Sequence, residues 1–364
     1  MILGGSNLAH YLVDRGLMTL ESVVDGDFFV VDIARRNQNF KVIRREGPGF
    51  FVKQVRDGSP EAVTSLNCEA TCYQLAQSDS ELEPLATLVP RFCSYDPLNH
   101  VLIVELLANG ENLREHSERT GSFSPEIARQ LGTALGKYHS VPISRISNGA
   151  SAAAFQVRKP WILSFHLQTF PPGTINAGTA ELHNILRSYP EYTQALEEVS
   201  EDWHVDCLIH GDLKWDNCVV YPAEDGAGFR FKVVDWELAT LGDACWDLGA
   251  ILQSYLTSWV FSMPDTGMSP AAMLMRQARF PLDHMAPAIG AFWDAYASAR
   301  KIVNHQAREL LERSMKHGAA RMVQTVYEMT SFSAQMSSVA ARVLQLSYNI
   351  LRDTPDAVDS LLAA

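Results

Sequence analysis

The sequence predicts an α+β fold in two lobes, a small antiparallel β lobe over residues 1–107 and a larger helical lobe over 108–364. Three observations carry that expectation. Short runs of β-branched and aromatic residues separated by turn signals fill residues 28–55. After residue 110 the texture changes to capped, amphipathic helical segments. The chain has 364 residues, 47% of them hydrophobic and 20% charged, which is enough to bury a large core and, at roughly 150 residues per domain, to form about two domains.

The β lobe is expected to open with strands at 28–31, 39–43 and 50–52, an antiparallel meander whose tight turn is Gly47-Pro48-Gly49. A helix over 61–76 follows, because Val63, Leu66, Ala70, Tyr73 and Leu75 recur near the helical period. Val101-Leu102-Ile103-Val104 reads as a buried strand with 91–95 as its partner, and the polar Ala108-Asn109-Gly110 closes the lobe. The helical lobe begins at Ser124-Pro125-Glu126, an N-cap, a first-turn proline and an acid near the positive helix end, ahead of Ile127, Leu131, Leu135 and Tyr138 on one face. Pro171-Pro172-Gly173 interrupts the chain, and acidic amphipathic helices are expected over 179–189 and 191–203. From Asp247 onward the composition is helical except for 264–270 and Pro281.

Thirty basic residues against forty-two acidic ones leave a net charge of -12, which repels phosphate backbones and argues against a nucleic-acid partner. Residues 1–16 carry no basic stretch followed by an apolar core, so no signal peptide is expected. The apolar stretch 246–263 is broken by Asp247, Gln253, Ser254, Thr257 and Ser258, and no membrane partner is expected. Six scattered cysteines without a CxxC pair read as small buried side chains in a reduced, cytoplasmic protein.

The chemistry concentrates in two segments. Cys207-Leu208-Ile209 runs into His210-Gly211-Asp212-Leu213-Lys214-Trp215-Asp216-Asn217, and Val233-Val234 runs into Asp235-Trp236-Glu237. Transfer of a phosphoryl group from a nucleotide needs a hard cation held by carboxylate or amide oxygens, and Asn217 and Asp235 supply those ligand types. The acceptor hydroxyl needs a carboxylate free of the metal to orient it and take its proton. Asp212, five residues ahead of Asn217, is that candidate.

These segments resemble the catalytic loop and metal-binding segment of the aminoglycoside phosphotransferase and choline kinase group, relatives of the protein kinases. Leu241-Gly242-Asp243-Ala244-Cys245-Trp246-Asp247-Leu248-Gly249 is similar to the group's Gly-Asp-Pro-x-x-Asp-Leu segment, with Ala244 in place of the proline. The resemblance implies a protein-kinase-like fold using ATP and Mg2+, with 1–107 as the nucleotide-binding lobe and 108–364 as the catalytic and acceptor lobe. It implies that Asp212 is the catalytic base, that Asn217 and Asp235 bind magnesium, that Glu237 adds a carboxylate, and that Asp247 braces the catalytic loop. It also asks for a phosphate-binding lysine held by a helical glutamate; Lys53 fits the first and Glu69 the second, with Glu61 the alternative.

The hairpin expected over the nucleotide, residues 34–42, contains no glycine. Arg35, Arg36 or Asn37 would then meet the phosphates through side chains, unless they are a solvated hairpin tip. ATP is the default donor and GTP the alternative. Lys214 stands where protein serine/threonine kinases carry a lysine that neutralises the transferring phosphoryl group.

With Arg158-Lys159-Pro160-Trp161 and the glycine-free hairpin, Lys214 is also similar to phosphotransferases of class V lanthipeptide and thioamitide biosynthesis, which act on precursor Ser and Thr before a partner lyase. The alternative for Arg158 to Trp161 is a capped turn with a buried tryptophan. The acceptor is therefore expected to be a Ser/Thr hydroxyl of a peptide, alternatively an aminoglycoside or amino alcohol. A non-catalytic nucleotide-binding partner protein is the third reading. Glu191, Glu197, Glu198, Glu201 and Asp202 gather in the insert of residues 155–204 and would attract a cationic acceptor if they face the cleft; the alternative is a solvated helix face.

Overall fold

The computed structural model describes residues 1–363 apart from 34–36, 57, 147–150, 172, 224–225, 227 and 266–269. The chain divides into two compact units. The first comprises Met1–His116, Ser144–Gln156 and Asp216–Ala239, and the second Ser117–Ile143, Val157–Trp215 and Thr240–Ala364.

In the first unit, β1 (Phe28–Asp32), β2 (Gln38–Arg44), β3 (Phe50–Gln54), β4 (Phe92–Asp96) and β5 (Val101–Glu105) form an antiparallel sheet in the order β1-β2-β3-β5-β4. Side chains alternate across it. Phe40, Val42, Phe50, Val52, Val101 and Ile103 face a core completed by Leu3, Leu8, Tyr11, Leu12 and Met18. Tyr11 and Leu12 come from a helix over Leu8–Asp14 that the sequence reading did not expect, since seven residues span fewer than two turns of period. Lys53, one residue beyond Val52, points to the opposite face, with Asn39 and Leu102 as its cross-strand neighbours. The helix Pro60–Ser78 starts where Ser59 accepts a hydrogen bond from the Ala62 N–H, with Pro60 in the first turn.

A smaller sheet in the same unit orders β6 (Glu111–Asn112), β8 (Cys218–Pro222) and β9 (Phe229–Val233) as β6-β8-β9. Its last strand delivers Asp235.

The second unit is built on helices, with one short ladder of β7 (Cys207–Ile209) and β10 (Thr240–Gly242). The helix Ala244–Phe261 is buried along almost its whole length. It crosses the helix Asn304–Thr330 at Gly249 and Gly318, where a methyl on Gly318 would stand 2.8 Å from the Gly249 carbonyl oxygen. The expected acidic helices form over Ala177–Ser188 and Pro190–Glu201. Among the described residues no helix is long and apolar enough to cross a membrane.

Candidate functional site

Each unit carries one cluster of the residues singled out above. In the first, the Lys53 ammonium donates to Glu69 Oε2 at 2.8 Å, Asp235 Oδ1 at 2.7 Å and Glu237 Oε2 at 3.0 Å. Lys53 reaches this point from β3, Glu69 from the buried face of the helix Pro60–Ser78, and Asp235 and Glu237 from the turn after β9. Asp235 adopts a left-handed conformation, φ 67°, which turns the chain out of the strand. The Trp236 side chain beside it is buried and donates from Nε1 to the Val233 carbonyl at 2.9 Å.

Burial disfavours charge on Lys53, but Glu69, Asp235 and Glu237 together outweigh it and hold the ammonium well above the usual lysine range. Burial pushes the Glu69 carboxyl up despite the lysine beside it. Glu69 Oε1 also accepts from the Tyr73 hydroxyl at 3.2 Å, a partner one helical turn further on. One oxygen from each of Glu69, Asp235 and Glu237 lies within 4.8 Å of the others. Such a set of hard oxygens fits a divalent cation of the magnesium kind.

Asn217 is 6% exposed, and its backbone carbonyl accepts from the Val234 N–H at 2.9 Å, which ties the start of β8 to the segment leading into Asp235. Glu61 is exposed in the first turn of its helix and Glu69 is the residue at the lysine. Asn37 is half-buried at the bend before β2, whereas Arg35 and Arg36 lie outside the described residues. Phe40 belongs to the sheet core.

In the second unit, β7 ends at His210-Gly211, with Gly211 at φ 81°, a conformation that favours glycine. Asp247, fully buried, accepts from the His210 N–H at 2.7 Å and the Gly211 N–H at 3.1 Å. Its Oδ2 also lies 3.5 Å from His139 Nε2. Asp212 follows, its Oδ2 paired with Lys214 Nζ at 2.7 Å and its Oδ1 with Arg321 Nη2 at 3.0 Å. Burial raises the Asp212 pKa, but Arg321 and Lys214 overcome it and hold the carboxyl below the usual range.

Arg321 was not found by sequence reasoning. It lies 109 residues downstream of Asp212, and no local spacing points to it. The same holds for the groups around Asp243. This residue caps the helix Ala244–Phe261 through the Cys245 N–H at 2.9 Å and accepts from Arg313 Nη2 at 2.7 Å, with His317 Nε2 at 3.8 Å.

Three of the acids of 191–202 meet different partners. Glu191 accepts from Tyr348 at 3.0 Å, Glu198 from Gln194 at 3.0 Å and Asp202 from Arg313 at 2.6 Å. Trp161 is 42% exposed, not buried, and stacks edge-on against Tyr327 with ring centroids 4.7 Å apart. All six cysteines are free and five are buried.

The model of a family described as "Phosphotransferase enzyme family" matches residues 31–288. A curated mouse (Mus musculus) protein, "Acyl-CoA dehydrogenase family member 11", is 29% identical over 167 residues, 43% of this chain. That match spans 20% of the mouse protein's length. Among solved structures, an ethanolamine kinase of Plasmodium vivax superposes with a TM-score of 0.58 at 12% identity, covering 97% of this chain and 91% of that one. An amicoumacin kinase in complex with AMP-PNP and Ca2+ gives 0.51 at 12% identity over 95% and 96% of the two chains. At such identities the likeness concerns the fold.

Proposed function

Because this chain belongs to the phosphotransferase enzyme family and shares the two-lobed kinase-like fold, we propose that it moves the γ-phosphate of ATP to an alcohol hydroxyl. The observation that carries this reading is the Lys53 ammonium held by Glu69, Asp235 and Glu237, the arrangement expected of a phosphate-binding lysine beside carboxylates able to take a hard metal ion.

In this reading residues 1–107 bind the nucleotide and 108–364 supply catalysis and the acceptor site. Glu69 holds the lysine in place, and Lys53 presents a fixed positive charge to phosphate oxygens. Asp235, Glu237 and Asn217 would hold Mg2+, which when bound neutralises charge on those oxygens. Asp212 accepts a hydrogen bond from the acceptor hydroxyl, and as the oxygen–phosphorus bond forms and the bond to ADP breaks, the hydroxyl proton passes to its carboxylate. A carboxylate held ionised by two cations is a weak base. That suits a loose transition state, in which the hydroxyl oxygen gains little bonding before the proton leaves. Lys214 supplies positive charge where the transferring group spreads its negative charge.

The acceptor we favour is a small-molecule alcohol. A Ser or Thr hydroxyl of a precursor peptide, followed by a partner lyase, is the second reading, and the Lys214–Asp212 pair at 2.7 Å favours it, since this is the lysine that peptide-phosphorylating enzymes place there.

The test is intact-mass analysis after incubation with Mg-ATP and either a panel of amino alcohols and aminoglycosides or a Ser/Thr-rich precursor peptide from the genomic neighbourhood. A gain of about 80 Da on a small molecule supports the favoured acceptor, and the same gain on the peptide alone moves it to the second. No transfer to any alcohol with ATP still bound returns the chain to a non-catalytic nucleotide-binding role.

A further inference from the structure

The family match ends at residue 288, yet the Asp212 carboxylate has one of its two cations from residue 321. The helix Asn304–Thr330 brings that cation in because Gly318 packs directly on Gly249, so the residue one turn further on meets the start of the helix Ala244–Phe261. There the Arg321 guanidinium lies over the Trp246 ring at 5.1 Å, and its side chain is 5% exposed. Nη2 donates to Asp212 Oδ1 at 3.0 Å and Nη1 to the Gly211 carbonyl at 3.2 Å. Trp246 Nε1 donates to the same carbonyl at 2.8 Å. Gly211 is thus held on both sides, its N–H by Asp247 and its carbonyl by Trp246 and Arg321.

We propose that Arg321 is a positioning residue for phosphoryl transfer: one planar guanidinium, oriented by Trp246, spans the Gly211 carbonyl and the Asp212 carboxylate and sets the direction in which Asp212 meets the acceptor hydroxyl. The inference rests on the phosphotransferase reading. A flexible loop bearing Asp212 could rotate its carboxylate freely, and Lys214, two residues away on the same loop and one-third exposed, would rotate with it. Arg321 ties the carboxylate to a helix outside the loop. A fork that bonds two acceptors at once also fixes direction, which a single ammonium does not.

The experiment measures steady-state turnover of Mg-ATP by the full chain, with water and with the alcohol panel as acceptors, for wild type and for Arg321→Met, Arg321→Gln and Arg321→Lys. The expected result for Arg321→Met is a fall in kcat of about 10–100-fold, the usual cost of losing the partner that orients a reacting group, with KM for Mg-ATP within about twofold. Arg321→Lys recovers part of the kcat, since it restores the charge without the fork. Should Arg321→Met fail to show a cooperative thermal transition, Arg321→Gln, whose amide can still donate one bond, carries the comparison with Arg321→Lys. A folded Met or Gln variant with wild-type kcat overturns the proposal, as does a loss that resides in KM for Mg-ATP. A wild-type chain that turns over Mg-ATP with neither water nor any alcohol overturns the phosphotransferase reading itself and this inference with it.

Discussion

Asp212 carries the most demanding chemistry of any single residue in this reading. Replacing it by Asn keeps the shape but leaves no carboxylate to take the hydroxyl proton, so Asp212→Asn is expected to lower turnover by about 100-fold or more with Mg-ATP affinity within a few-fold. Calorimetric titration with Mg-ATP beside a turnover assay checks both halves, and near-normal turnover removes Asp212 from its role. Lys53 offers a different test. Lys53→Met leaves Glu69, Asp235 and Glu237 facing one another, which destabilises the variant, and a divalent cation entering among them relieves the repulsion. Added Mg2+ alone should therefore raise the melting temperature of Lys53→Met by more than that of wild type. No shift in either protein would mean that these carboxylates hold no metal. At this scale the sequence was legible wherever chemistry is local. His210 to Asn217 and Asp235 to Glu237 stand out because each follows an apolar strand and packs several polar groups into a few residues. Glu69 could be proposed because it lies on the helix expected next after the strand of Lys53, ahead of Tyr73 and Leu75.

Among the elements, the crossing of Ala244–Phe261 with Asn304–Thr330 depends on two glycines without side chains. A methyl on Gly249 would overlap the Gly318 backbone nitrogen and stand 2.6 Å from the Ser314 carbonyl, both rigid groups. Gly249→Ala should cost about 1–3 kcal/mol from the forced shift of packed helices. Gly290, inside the helix Leu282–Ala299, meets nothing within 4 Å. Gly290→Ala should instead gain about 0.5–1 kcal/mol of helix propensity. Urea unfolding of both variants separates the two cases, and a destabilised Gly290→Ala would contradict the open space around it. The helix Pro60–Ser78 was readable to within two residues because Val63, Leu66, Ala70, Tyr73 and Leu75 recur near the helical period. The glycine crossing was not, because a glycine's value as a contact depends on a partner 69 residues away that no local pattern identifies.

For the molecule as a whole, acid stability separates two sets of buried groups. Burial lowers the His317 pKa to about 4, although Asp243 beside it pulls the other way. In the unfolded chain this histidine protonates near pH 6.5, so between roughly pH 6.5 and 4 the unfolded state binds the extra proton and stability falls as pH falls, by at most about 3 kcal/mol. Asp212 and Asp243 behave otherwise. Their carboxyl groups are held below the ordinary range against the effect of burial, Asp212 by Arg321 and Lys214 and Asp243 by His317 and Arg313, so their contribution is present above about pH 4 and is lost as pH falls through their lowered values. Melting temperatures followed from pH 7 to 4.5 should drop less steeply in His317→Gln than in wild type, and parallel curves would remove His317 from the account. The sequence by itself determined the main strands of the first sheet, the helix that follows them and the resemblance to the family, and it singled out Lys53, Glu69, Asp212, Asp235 and Glu237 as candidates, because strand alternation, helix caps and polar clusters act over a few residues. Only the tertiary structure decided that Arg321 pairs with Asp212, that Arg313 and His317 surround Asp243, and that three of the acids of 191–202 meet different partners. Those contacts arise from packing between distant segments, where burial sets the strength of a charge pair and local sequence carries no trace of it.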